Sequence, residues 1–188
     1  MKDAQVELQE AIAAESEAHT LLVRGEGERA LPRLRDAAEH YRRSWELAPP
    51  TAYGRLVGMM KAAILAGTAI DAARYVRGEL ADAAGSATAA YALALAALTA
   101  GADAEALESA DAMRGETEAF DRAAEAVTAL ARRDREGYAA AIGAIVADFE
   151  RRPEHLTGVA IADTALCIEV LASSRGLASG VSSPLLPE

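Results

Sequence analysis

Cysteine is nearly missing from this chain of 188 residues: Cys167 stands alone, which excludes a disulfide framework and a cysteine-built metal centre. Aromatic side chains amount to only 4% although 52% of residues are hydrophobic, so the core has to be assembled from Ala, Leu, Val and Ile. Lysine is scarce as well, with Lys2 and Lys61 beside seventeen arginines, and the net charge is -10. That balance argues against nucleic acid, whose phosphates call for clustered cations. It suits a solvated surface or an acidic face for a basic protein partner. No apolar run is long enough to span a bilayer: the longest, 87–100, reads as a buried helix. The first residues have neither a basic segment nor an apolar one behind it, so the expected location is the cytoplasm, without membrane association.

Alanine is abundant: 48 residues, a quarter of the chain, which biases the backbone toward helix before any pattern is considered. Apolar residues recur at spacings of three and four, and no stretch alternates as a half-buried strand would. The pattern predicts an all-α fold of about nine helices: 3–24, 28–47, 52–66, 68–84, 87–100, 103–114, 117–133, 134–149 and 156–174. In the first helix the apolar residues are Val6, Leu8, Ile12, Leu21 and Leu22. Thr68, Ser86, Asp103, Thr117 and Asp134 are the expected N-caps. Prolines are expected between helices, and the fifth helix at the centre. Residues 1–178 form one expected domain and 179–188 an irregular tail.

The turn residues within successive pairs are Gly25, Gly67, Gly101 and Asp134, and an alanine stands five residues after each: Ala30, Ala72, Ala106 and Ala139. Their spacings are 42, 34 and 33; the last two, with a small residue early in the second helix, resemble tetratricopeptide repeats, and the first pair is longer by about two helical turns. The resemblance covers about 4–153 and implies antiparallel helix pairs stacked in a right-handed superhelix, with the first helix of each pair lining a concave binding face. Carried over, that register puts Val57, Lys61, Tyr91, Leu95, Thr128 and Arg132 on this face, with Lys61, Tyr91, Thr128 and Arg132 as candidate protein-binding residues and Val57 and Leu95 as core.

Little in the chain points to catalysis, and no catalytic residue, cofactor or metal ligand is assigned. Glu15 and His19, and Asp36 and His40, stand four apart on helix faces and read as surface acid–histidine pairs. The competing reading is a small-ligand or metal site built from His19, His40 or Asp163. Cys167, between Leu166 and Ile168, reads as a buried, inert thiol. The arginines at 29, 33, 35, 42 and 43 alternate with acids and read as a salt-bridged outer face. Asp163 lies in an apolar run and, if buried, needs a hydrogen-bond partner or a proton, in a structural or a functional role.

A second resemblance runs from about Ala131 to Pro187. It is carried by Ala131-Arg132-Arg133-Asp134, Tyr138, Arg151-Arg152-Pro153-Glu154, Arg175-Gly176-Leu177 and Ser183-Pro184-Leu185-Leu186-Pro187. These segments are similar to the C-terminal part of the bacterial polymorphic-toxin immunity family numbered forty-nine. That resemblance implies a helical, non-enzymatic protein that acts by binding a cognate toxin. The expected partner is thus another protein, with a homodimer as a further option.

Overall fold

The computed structural model describes residues 3–81 and 85–187. The described residues form nine helices and no strand: α1 (Ala4–Val23), α2 (Gly27–Leu47), α3 (Gly54–Leu65), α4 (Ala69–Glu79), α5 (Ala87–Ala100), α6 (Asp103–Met113), α7 (Glu118–Arg132), α8 (Arg135–Glu150) and α9 (Asp163–Ser174). The all-α class expected from alanine content and periodicity is the one observed.

The helix ends show which local signals operate. Asp3 accepts from the Gln5 and Val6 amides, Ser86 from Ala89, Thr117 from Phe120 and Asp134 from Gly137, each satisfying an orphan donor of the first turn. Gly25, Gly67 and Gly101 adopt positive φ at the turns, where a Cβ would be strained. At the fourth turn Arg133, at φ 58°, takes the left-handed position, and Asp134 is the cap that follows.

Several expected ends are corrected. Thr68 makes no N-cap bond; its hydroxyl turns back to the Ala63 carbonyl (3.5 Å), and Asp71 pairs with Arg74. Asp103 does not cap α6 but opens it, its carboxylate drawn to Arg175 at 2.6 Å. Helix α4 stops at Glu79; residues 82–84 of its expected end lie outside the described residues. Pro32 sits inside α2 and removes one donor from its second turn. Helix α9 starts at Asp163 and not near residue 156, because Gly158 is left-handed and Thr157 is engaged with α1 through both its carbonyl and its hydroxyl.

Each helix from α1 to α8 packs on the next in sequence, and α3, α5 and α7 form a row through α3–α5 and α5–α7 contacts. Helix α9 lies against that row, touching α3, α5, α7 and α8. Helix α5 is the central element, with Ala92, Ala94, Leu95 and Ala96 wholly buried. Of the four register alanines, Ala30 and Ala106 are fully buried, whereas Ala72 and Ala139 are only partly so; Ala73 and Tyr138 take the inward places in α4 and α8. The segment 177–187 has no helix, yet it is tied down. Ala162 donates to the Leu185 carbonyl (2.9 Å), Glu169 accepts from the Ser179 amide, and Val181, Leu185 and Leu186 pack on the core.

The largest departure concerns α1. Its buried residues are Glu7, Ala11, Glu15, Ala18 and His19, whereas Val6 is exposed and Leu8, Ile12, Leu21 and Leu22 are half-buried. The helix is rotated so that its polar residues enter the core, which requires a partner for each. No helix among the described residues is long and apolar enough to cross a membrane.

A buried polar cluster beside an apolar-walled cavity

Glu15 and His19, one turn apart on α1, are 3% and 1% exposed; they are not the surface pair that their spacing suggests. Glu15 Oε2 accepts a hydrogen bond from the Tyr41 hydroxyl of α2 at 2.8 Å. Burial pushes the Glu15 carboxyl up to about 7, against the lowering effect of that bond. His19 Nδ1 shares a 3.0 Å hydrogen bond with Thr157 Oγ1, and its Nε2 lies 4.0 Å from Glu15 Oε1. Burial pulls the imidazole down to about 4, so it is neutral at pH 7. His40 belongs elsewhere: its partner is Glu7, at 2.6 Å, and Asp36 pairs instead with Arg33 on the exposed face.

Tyr41 approaches this closely because α3 presents Gly58 to it. A Cβ at Gly58 would stand 2.7 Å from the Tyr41 ring, so only glycine leaves room for the ring that carries the hydroxyl to Glu15.

Lys61 of α3 and Asp163 at the start of α9 meet at 2.5 Å, with side chains only 12% and 19% exposed. Asp163 also accepts from the Thr164 amide at 2.8 Å. Burial acts to raise the Asp163 carboxyl, but the charge and hydrogen bond of Lys61 outweigh it and hold it below the usual carboxylate range. Burial likewise disfavours the Lys61 ammonium, and Asp163 reverses that, leaving lysine firmly protonated. Two residues singled out separately in the sequence are thus partners, 102 positions apart.

Of these groups Glu15, Tyr41, Lys61 and Asp163 form the floor of a cavity of about 450 Å³. Its apolar walls include Leu8 and Ile12 of α1 and Val57 of α3; Tyr53, Arg55 and Leu156 also line it. Leu156 is 75% exposed. Behind the ion pair, a smaller cavity of about 170 Å³ is lined by His19, His155, Thr157, Arg152 and both members of the pair.

The other candidate residues do not gather here. Tyr91 is buried in α5, edge-on to Phe120 at 6.3 Å, and Leu95 is wholly buried. Thr128 accepts from Arg114 (3.3 Å) and lines a separate groove of about 360 Å³ with Arg132, which is exposed. Only Val57 and Lys61 of the set reach the cavity above the cluster. Cys167 is buried, as expected, and burial pushes its thiol up to about 12. Arg29, Arg33, Arg42 and Arg43 of α2 pair with Glu26, Asp36, Glu46 and Glu39 on the outer face. Sequence reasoning missed Glu15, Tyr41 and Arg55 as neighbours of Lys61. The one available signal was the pair of ionisable residues at 15 and 19 on a helix with few inward leucines.

Among the described residues no group of three or more His, Cys, Asp or Glu is placed to hold a metal ion. Comparison of the chain with protein-family models, curated proteins and solved structures returns no match.

Proposed function

We propose that this chain is a non-catalytic binding protein of the cytoplasm that receives a segment of a partner protein in the cavity between α1, α3 and residues 156–163. The observation that carries this reading is the cavity itself: apolar walls, a charged floor and an exposed Leu156 at its edge, within the size range of binding sites. The buried ionisable groups of the floor are already engaged, Glu15 with Tyr41 and Lys61 with Asp163, so the floor is suited to orienting a guest. Tetratricopeptide-like antiparallel pairing of the helices and an immunity-type role toward a toxin are specific forms of this proposal. They draw on the spacing of the turns and on the C-terminal segments described above. The groove of Thr128 and Arg132 is the second place where such a partner would rest.

The test is affinity capture from native cell lysate with the wild-type chain, with Val57→Trp and Leu156→Glu, and with Glu136→Gln as an exposed control. A single protein retained by the wild type and the control, and lost with both cavity variants, is the expected result. Retention by the blocked cavity refutes the proposed face, and capture of nothing by the wild type refutes the role.

A further inference from the structure

The cavity has an excess cation. Its lining carries two carboxyls and two basic groups, Glu15, Asp163, Lys61 and Arg55. Asp163 is matched by Lys61, and the buried Glu15 is held by Tyr41 and tends to keep its proton near neutrality. Arg55 is different. Its Nε donates to Ser44 Oγ at 2.6 Å, and Ser44, wholly buried, passes the bond on to the Ala4 carbonyl at 2.6 Å. The guanidinium is therefore fixed at one edge by a buried hydroxyl, while its two Nη groups have neither a hydrogen bond nor an ion pair among the described residues. Arg122, the other part-buried arginine of α2 through α8 among the described residues, has a carboxylate partner instead: Asp148 holds it at 2.8 Å. A half-buried guanidinium with an unfilled donor fork, beside Leu8, Ile12, Val57 and Tyr53, is complementary to a carboxylate carried on an apolar body.

We infer that the cavity is a site for a small monocarboxylate with a short apolar chain, its carboxylate on the Nη groups of Arg55 and its chain against Leu8, Ile12 and Val57. The inference rests on reading this cavity as a binding site, but not on the guest being part of a protein. An amine is disfavoured, because its ammonium would meet the unmatched guanidinium of Arg55. A neutral amide fills the same apolar space but forgoes the charge-assisted pair, which is the stronger kind of hydrogen bond.

The probe is hexanoate, titrated into the full chain by calorimetry or by backbone amide chemical shifts, with hexanamide and hexylamine as matched controls. Hexanoate is expected to bind saturably and about tenfold or more tightly than hexanamide, with hexylamine weakest. Arg55→Met is expected to bring hexanoate down to the level of hexanamide and to leave hexanamide unchanged. Arg55→Lys should keep part of the preference, and Val57→Trp should abolish binding of both. Equal affinity for acid and amide, preference for the amine, insensitivity to Arg55→Met, or no saturation by any of the three overturns the inference. If hexanoate fails while a partner is still captured through the cavity, the carboxylate assignment alone falls. If hexanoate binds and no partner is captured, the protein-partner reading falls and the small-ligand site stands.

Discussion

Replacing Lys61 by methionine leaves Asp163 in place with its charge unmatched, and the cost can be bounded from both sides. Breaking a buried ion pair by removing one partner typically costs about 3–5 kcal/mol. The side chains here are 12% and 19% exposed, so most of that penalty applies. Asp163 has an escape, which is to take up a proton. Starting from an unfolded pKa near 3.9, protonation at pH 7 costs about 4 kcal/mol, and at pH 5 only about 1.5 kcal/mol, at 1.36 kcal/mol per unit. Lys61→Met is therefore expected to lose about 3–4 kcal/mol at pH 7 and about half of that at pH 5. At roughly 2–4 °C per kcal/mol for a chain of this size, the pH 7 loss corresponds to about 6–16 °C in the melting temperature. The double variant Lys61→Met/Asp163→Leu removes both charges and fills similar volume, and should fall within about 1 kcal/mol of the wild type. Chemical denaturation of the three proteins at both pH values is the assay. A loss below about 1 kcal/mol for the single variant at pH 7, or a double variant as unstable as the single one, would refute the view that a buried, mutually dependent pair joins α3 to α9.

Glu15 and His19 make opposite contributions to the pH dependence of stability. The Glu15 carboxyl, raised to about 7, binds more protons folded than unfolded, so stability falls as pH rises from about 4.5 to 7. The imidazole of His19, lowered to about 4, does the reverse, and stability rises from about pH 4 to 6.5. Each amounts to about 3 kcal/mol, so Glu15→Gln should unmask a stability that climbs with pH and His19→Gln one that declines, read from urea midpoints at pH 4.5 and 6.5; parallel profiles for both variants would contradict the assignment. Gly58→Ala pushes a Cβ into the Tyr41 ring, an overpacking cost of about 1–3 kcal/mol set against about 1 kcal/mol of regained helix propensity. A net loss near 1 kcal/mol is expected, and a stabilised variant would show that the close α2–α3 approach is dispensable. Leu156→Ala, at a 75% exposed site, should move stability by less than about 0.5 kcal/mol, so that any binding defect it causes is a defect of recognition.

The helices were legible because their signals are local. Alanine content, glycine after several of the helical runs, and Ser86, Thr117 and Asp134 as caps act within a few residues of where they stand. The start of α9 was not legible, since Thr157 leaves the helical pattern to satisfy Ser16 and His19, residues more than 130 positions away. Nor was the inward face of α1. Reading leucines as core is sound on average, yet here Glu7, Glu15 and His19 are the buried residues because α2 and the segment after α8 bring His40, Tyr41 and Thr157 to meet them.

By itself, then, the sequence determined the class of fold, the central place of α5 and most of the turns, because backbone propensity and small-residue packing are properties of short stretches. Only the tertiary structure decided which polar residues are interior, that Lys61 and Asp163 are one unit, and that Arg55 is left with open donors beside an apolar cavity. The physical reason is that a buried charge is defined by its partners, and those partners are assembled from α1, α2, α3 and α9 only when the chain is packed.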